Sequence, residues 1–354
     1  MRTRNRNAVA LLIGAAALGV ALVFAARATP VHRPVTSALQ AVPENASVVA
    51  WARLDRLRAS ALAALVSRAS DSQAKSAPDC SKSIFEHVRE AAVWIAPNAA
   101  QDFGIAALGE VQREQFLSCA SEAIGARGGQ ATAQNVGGYT VVRDRGMAQG
   151  AAALAMREGG PVLLGRAREL SQMMAAVDGR AASALQQGEH ASMRAALKMD
   201  ADVVVTARVT DAFRAQLDAL AQQGGVDWSA VRAAAVGLEA GSAVHLRMLV
   251  WCEPAGACEA LAQSVQALLS SVRGSMGMRV AGVAGLLREA AVGARDGQMV
   301  LDARAPAGEV VSVVQRIWRW NDTFSEPPNA PAPSLSLPDE VLRAPGAPRL
   351  DGGR

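Results

Sequence analysis

Four cysteines carry the clearest chemistry in this sequence. They are Cys80, Cys119, Cys252 and Cys258. An even number of cysteines in an exported chain is typical of a disulfide framework, and four cysteines allow three pairings. We favour Cys80–Cys119 and Cys252–Cys258, because the second pair spans a turn short enough for a disulfide. A Cys119–Cys258 bridge is the alternative. The spacings contain no Cys-x-x-Cys motif, so we expect no metal site.

Known catalytic motifs are missing from the sequence. None of the histidines belongs to a His-Glu-x-x-His motif or pairs with another at helical spacing; they are His32, His87, His190 and His245. The segment Gly274-Ser275-Met276-Gly277 is similar to a nucleophile elbow, but Arg273 stands where that motif requires glycine. We therefore expect no catalytic residue and no cofactor, and we favour a binding protein over an enzyme.

An aromatic cluster lies at the end of the last predicted helix. Trp318, Trp320 and Phe324 fall within seven residues, interleaved with Arg316 and Arg319. The simpler interpretation is that the tryptophans pack onto the core of the preceding domain. The alternative is a contact patch for a partner, since Trp and Arg are enriched at interface hot spots.

The first 28 residues predict export. Arg2, Arg4 and Arg6 precede residues 8–26, an uncharged and mostly apolar run that spans about 28 Å as a helix. Arginines on this side place the N-terminus in the cytoplasm. The run predicts either a retained anchor in the cytoplasmic membrane or a signal peptide cleaved after Ala28. Either way the bulk of the chain lies in the cell envelope, outside the cytoplasmic membrane.

Composition excludes several function classes. Apolar residues make up 51% and charged residues 19%, which permits a packed core and excludes wholesale disorder. The formal charge of +4 falls to +1 when Arg2, Arg4 and Arg6 are left out. A nucleic-acid interface needs a basic face, so we expect no nucleic-acid partner.

The chain contains an internal repeat. Residues 46–65 align with residues 201–220 at an offset of 155, with eight identities in twenty positions. A second block, residues 88–95, aligns with residues 231–238 at an offset of 143. Arg53 and Arg208 are the matched polar residues of the first block, and we expect them to form a structural ion pair or a strand-edge charge.

The periodicity of apolar residues predicts that each repeat belongs to an α+β unit. Alternating β-branched runs, such as residues 47–54 and 202–209, predict strands, and amphipathic runs predict helices. The predicted fold class is α+β, with two tandem copies of an extended ferredoxin-like (βαββαβ plus βα) unit. We expect antiparallel sheets with helices on one face, preceded by one N-terminal apolar helix. The predicted organisation is residues 1–28 (signal), 29–41 (stalk), 42–198 (copy one), 199–322 (copy two) and 323–354 (Pro-rich disordered tail).

The start of copy one resembles a known group of proteins. Its residues Val42-Pro43-Glu44-Asn45-Ala46-Ser47-Val48-Val49, followed by Leu54, Leu57, Arg58, Ser60 and Leu62, are similar to uncharacterised bacterial exported or membrane-anchored proteins with duplicated α+β units. The resemblance implies the architecture and no assigned activity.

The predicted membrane tether, the internal repeat and the missing catalytic motifs together predict a binding protein. We expect a membrane-tethered extracytoplasmic binding or protein-interaction module without catalytic activity, whose partner is an envelope protein or a small ligand. The alternatives are a small-ligand or peptide receptor that uses a groove between the copies, and an enzyme of unrecognised type.

Overall fold

A single antiparallel sheet of twelve strands organises the protein. The computed structural model describes residues 35–65, 67, 80–97, 99–147, 151–186, 188–211, 213–215, 227–280 and 282–324. In chain order, β1 to β12 are Val48–Arg53, Val88–Ala96, Ala99–Gly109, Ala131–Val136, Tyr139–Asp144, Ala152–Met156, Val162–Arg166, Val203–Arg208, Val231–Ala240, Ala243–Cys252, Ala291–Arg295 and Gln298–Pro306.

Helices follow or connect these strands. In chain order, α1 to α9 are Leu54–Ala59, Cys80–His87, Arg113–Gly125, Ala167–Val177, Gly188–Ala196, Ala257–Gly274, Met276–Val280, Val283–Leu286 and Ala307–Phe324. A 3-10 turn, Ala38–Ala41, precedes β1, and its residues Ala38, Leu39 and Ala41 are buried. The end of the predicted stalk is therefore part of the core.

The predicted fold class is wrong in its main feature. The strand order β11-β12-β10-β9-β8-β1-β2-β3-β7-β6-β5-β4 forms one sheet rather than two ferredoxin-like sheets. The physical reason is that β1 pairs with β8, which joins the first strands of the two predicted copies edge to edge. The predicted N-terminal apolar helix, residues 8–26, lies outside the described residues.

Helices cover both faces of the sheet, so the predicted placement on one face is also wrong. We call the side with α3 and α6 face one, and the side with α4 and α5 face two. The apolar runs at the start of β1 and β8 explain this arrangement. Val48 and Val49 point to opposite faces of β1, and both are buried. A strand that is apolar on both sides needs a packing layer on each.

The junction between β1 and β8 agrees with the sequence repeat. Ala50 lies opposite Val205, and the repeat equates the same two residues. The strand order outward from this pair is β1-β2-β3-β7-β6 on one side and β8-β9-β10-β12-β11 on the other. The β4–β5 hairpin extends the first side only. The bounds of the two copies, 42–198 and 199–322, stay predictions.

One row of apolar side chains crosses the whole sheet on face one. Strand register aligns one residue from each strand, and none of the twelve is polar. From β4 to β11 the row is Ala133, Val142, Leu154, Leu164, Ile105, Val93, Ala50, Val205, Val236, Met248, Leu301 and Val292. Apolar pairs in register stabilise neighbouring strands, so this row holds the sheet together across the junction.

Two disulfides link helices to neighbouring elements. Cys80 of α2 is bonded to Cys119 of α3, with 5.6 Å between their Cα atoms. Cys252 at the end of β10 is bonded to Cys258 of α6, with 5.5 Å between their Cα atoms. These are the two bridges that the sequence analysis favours, and the alternative Cys119–Cys258 bridge is not formed.

Residues 316–324 form the described part of a second unit and are considered by themselves. They are the last residues of α9. Trp318 is half-buried and Ile317 is 44% exposed. The side chains of Trp320 and Phe324 lie outside the described part, so the contact patch stays a prediction. No helix among the described residues is long and apolar enough to cross a membrane.

We predict that the two disulfides contribute unequally to the free energy of unfolding. A disulfide restricts the unfolded chain more when it closes a longer loop. Replacing Cys80 and Cys119 with alanine should cost at most about 4 kcal/mol, and replacing Cys252 and Cys258 about 2 kcal/mol, on the chain-entropy model. Urea unfolding of the two double variants measures both values. An equal or reversed order would contradict the prediction.

Candidate functional site

Arg53 and Arg208 hold the two halves of the sheet together in equivalent ways. The Arg53 guanidinium donates to the backbone carbonyls of Asp200 at 2.8 Å and Ala201 at 2.6 Å. Arg208 donates to the carbonyls of Asn45 at 2.8 Å and Ala46 at 3.1 Å. The repeat equates Ala46 with Ala201, and Asn45 and Asp200 directly precede these residues, so each arginine binds the equivalent backbone of the other half.

Carboxylates complete both arginine clusters. Asp200 accepts from Arg53 and Arg56. The hydrogen bond from Arg56, with that from Arg53, lowers the pKa of Asp200. On the other side, Glu189 lies 3.0 Å from Arg232 and 3.4 Å from Arg208. All these charges have partners, so they serve the junction rather than an external ligand.

His190 is buried at the same junction. Its Nδ1 lies 2.7 Å from the Thr206 hydroxyl, and its Nε2 lies 2.8 Å from the Ala46 carbonyl. A carbonyl only accepts, so Nε2 carries the proton and Nδ1 accepts from Thr206. Burial lowers the pKa of His190; Arg208 and Arg194 lower it further, while the Ala46 carbonyl and Glu189 oppose the shift. This histidine is therefore a neutral core residue.

A second buried polar cluster lies beneath α4. Arg157 pairs with Asp178 and lies over the ring of Tyr139, with 5.2 Å between the guanidinium carbon and the ring centre. The Tyr139 hydroxyl donates to Asp178 at 3.1 Å. Burial raises the pKa of Tyr139 above its usual range. The three groups satisfy one another, which explains a charged cluster in the core.

Among the described residues, the pair most similar to a catalytic dyad is His245 with Asp302. His245 Nε2 lies 3.0 Å from the Asp302 carboxylate, which also accepts from Arg247 at 2.9 Å. Burial raises the pKa of Asp302, but hydrogen bonds from Arg247 and His245 lower it by more. In the part of the chain that the structure describes, no hydroxyl or thiol bonds to the other nitrogen of His245. A nucleophile–base pair is therefore not built here.

The described residues contain no cluster of side chains suited to a metal ion. No group of three or more histidine, cysteine, aspartate or glutamate side chains is placed to hold an ion among the described residues. The four cysteines are all in disulfides.

A recess of about 800 Å³ lies between the end of α3 and the sheet, and its size suits a small ligand. Its floor is apolar and belongs to face one. It consists of Val142 of β5, Leu154 of β6 and Leu164 of β7, with Ile124 of α3 beside them. Strand register places the three strand residues side by side, so the floor is part of the apolar row that crosses the sheet.

Asp144 fixes the two loops that wall this recess. Its carboxylate accepts from the backbone N–H of Gln130 at 3.1 Å and of Gly146 at 3.0 Å. Gly129 lies against the same carboxylate, and a Cβ at this position would collide with it. A glycine is thus required for the close approach of the two loops.

Two arginines border the recess. Arg127 lies in the turn after α3, and Arg145 follows Asp144, whereas the side chain of Arg143 on β5 points to face two. Both bordering arginines are exposed, and among the described residues no carboxylate lies within ion-pair distance of their guanidinium groups. Because Asp144 is engaged with backbone, the border is positively charged over an apolar floor.

No pattern in the sequence points to this recess. None of its residues belongs to a motif, and four segments of the chain contribute to it. The run Arg143-Asp144-Arg145 is the sequence feature that could have indicated a charged site here, yet such a run is usually a solvated turn. The predicted site residues do not meet there: the cysteines are in disulfides, and Trp318 belongs to the second unit.

Comparisons with known proteins add little. No protein-family model and no curated protein matches the chain. The chain is similar to the solved structure described as crystal form I of TP0453, with a TM-score of 0.45 and 9% sequence identity. The match covers 80% of this chain and 96% of that one. A likeness of this size carries no argument about function.

We predict that His190 makes the protein less stable in mild acid. Because the folded-state pKa of His190 is lowered, its contribution is complete above the unfolded value of 6.5 and is lost as pH falls below it. The loss should reach at most about 1.4 kcal/mol per pH unit until the folded pKa is reached. Urea unfolding between pH 7 and pH 5 measures it, at pH values chosen around the unfolded pKa.

His190→Gln is the matched control, because glutamine keeps a donor and an acceptor but does not titrate. The variant should lack the extra loss of stability in this pH window. A variant with the same pH profile as the natural chain would contradict the assignment.

Proposed function

We propose that this protein is a membrane-tethered extracytoplasmic binding module without catalytic activity. Its ligand is a small organic anion with an apolar body, held in the recess at the end of α3. The observation that carries this proposal is the combination of an apolar floor with two bordering arginines, Arg127 and Arg145, that have no carboxylate partner among the described residues. An anionic group would pair with the arginines while the apolar part covers the floor.

The size of the recess supports a small ligand. Ligand sites are commonly apolar clefts of about 300–1,000 Å³ with a few polar groups that fix orientation. The recess of about 800 Å³ falls in that range. Its walls are also held in place, because Asp144 joins the loops and the floor belongs to three hydrogen-bonded strands.

The location in the envelope is supported by two independent features. Residues 8–26 are a sequence-predicted membrane anchor or signal, and they lie outside the described residues. The pairing of all four cysteines in disulfides fits an oxidising compartment. In this proposal the tether and the disulfides act together, since the domain folds and functions outside the cytoplasmic membrane.

A groove between the two copies is less favoured as the ligand site. The β1–β8 ladder occupies the junction on which that hypothesis depended, and the nearby charges are engaged with one another. An enzyme is also less favoured, because His245 bonds to Asp302 without a nucleophile beside it. We therefore place the proposed ligand at the arginine-bordered recess.

We predict saturable binding of the fluorescent aromatic anion 1-anilinonaphthalene-8-sulfonate (ANS) to the natively folded domain. Arg127→Gln should weaken binding by roughly fivefold, as expected when one charge-assisted contact of about 1 kcal/mol is lost. Arg168→Gln is the matched control, because Arg168 is exposed on α4 and does not line the recess. Fluorescence titration measures both affinities.

Competition distinguishes the proposed ligand class from a simple anion site. Octanoate should displace the dye, whereas sulfate should not, because sulfate has no apolar part to cover the floor. Absence of saturable binding would contradict the proposal. So would equal affinities for the natural protein and the Arg127→Gln variant, given unchanged near-ultraviolet circular dichroism.

A further inference from the structure

The free edge of β4 offers hydrogen-bonding groups in a defined pattern. Among the described residues, β4 is the last strand of the sheet and pairs only with β5. Gly137 and Gly138, both with positive φ, form the two-residue turn between these strands, so Val136 and Tyr139 are a hydrogen-bonded pair. The backbone N–H of Arg145 donates to the carbonyl of Gln130 at 2.7 Å, which fixes the same alternation at the other end.

This alternation identifies the outward-facing groups. Thr132 and Gln134 bond toward β5, like Val136. The backbone N–H and C=O groups of Ala131, Ala133 and Asn135 therefore point away from the sheet. A strand about 20 Å long presents them in a row.

β4 lacks the features that usually protect an edge. Its six residues, Ala131–Val136, include no charge and no proline, and their register with β5 has no bulge. Natural sheets commonly protect an edge with charges, prolines, bulges or short strands. The opposite edge strand, β11, is shorter and contains Gly293 and Arg295. The β4 edge is thus the more open of the two.

Positive charge lies beside the first half of this edge. Arg143 is opposite Thr132 on β5, and Arg145 follows at the position opposite Gln130. An added strand would lie about 10 Å from β5, two strand spacings away. Arginine and glutamate side chains together span that distance. A carboxylate on the added strand would therefore meet an arginine that has no ion-pair partner among the described residues.

We propose that the β4 edge binds an extended acidic segment of a partner protein by strand addition. The segment pairs with the outward groups of Ala131, Ala133 and Asn135, and its carboxylates face Arg143 and Arg145. Backbone hydrogen bonds supply the geometry, and the arginines select acidic over basic sequences. This partner is separate from the small anion proposed for the recess.

Fluorescence anisotropy with labelled octapeptides tests this proposal. The probe alternates glutamate and threonine, and the matched peptide has lysine in place of glutamate. The acidic peptide should bind saturably and at least tenfold more tightly than the basic one, with affinity falling as salt rises. Arg143→Gln combined with Arg145→Gln should weaken binding and remove most of the salt dependence.

Proline substitutions test the edge itself. Ala133→Pro removes an outward N–H without breaking the β4–β5 ladder, and it should abolish binding. Ala133→Val keeps the N–H and should bind within about twofold of the natural chain. Ala294→Pro is the control at the other edge, because the Asp296–Gly297 turn makes the Ala294 N–H point outward. That variant should bind normally.

Several results would overturn the proposal. They are undiminished binding to Ala133→Pro, equal binding of the basic peptide, or equal binding of an acidic peptide whose alternate amides are N-methylated. The N-methylated peptide decides the question even if Ala133→Pro does not fold. A dimer that Ala133→Pro disrupts would assign the edge to a second copy. Arg127→Gln separates the two proposals, since it should weaken ANS binding and leave peptide binding unchanged.

Discussion

The pairing of β1 with β8 is the constraint on which the rest of the structure depends. Each strand begins with an apolar run, which is buried on both sides in β1 and on one side in β8, and each would be an open edge if its half of the sheet stood alone. Antiparallel pairing satisfies the backbone groups of both strands and brings Ala50 opposite Val205. Arg53 and Arg208 then bind the equivalent backbone of the opposite half, so the same interaction is made twice across the junction.

This constraint also explains where a ligand or partner can bind. The centre of the sheet has helices on both faces, and its charged side chains are engaged at the junction. Arginines that have no carboxylate partner among the described residues lie instead near β4, β5 and the end of α3. The outer edge of β4, with its unpaired backbone groups, is at the same end of the sheet. The β4–β5 hairpin extends one half of the sheet only, and it supplies Arg143 and Arg145 together with the free edge. Both proposed binding sites therefore use residues of this hairpin, which has no counterpart in the other half.

Local features were readable from the sequence, whereas long-range placement was not. Alternating residues predicted the strands around Val48 and Val203, and a turn of six residues favoured the Cys252–Cys258 bridge. β4 was missed because Ala131–Val136 lacks the apolar alternation of a half-buried strand. Single-sheet topology was missed because β1 pairs with a strand 155 residues away, and periodicity carries no information about such a partner. The recess was missed for the same reason, since its floor joins three strands.

A cross-strand disulfide tests the β1–β8 junction most directly. The N–H of Arg53 donates to the Asp202 carbonyl, and the N–H of Arg208 donates to the Ser47 carbonyl. Because hydrogen-bonded and non-hydrogen-bonded pairs alternate along an antiparallel ladder, Ala50 and Val205 form a non-hydrogen-bonded pair, with Cα atoms about 4.5 Å apart. Ala50→Cys combined with Val205→Cys should form an intramolecular disulfide, detected by non-reducing peptide mapping of the monomer. Ala50→Cys with Val204→Cys should not, because those side chains point to opposite faces. No bond between positions 50 and 205, or an equal yield from both double variants, would contradict the single sheet.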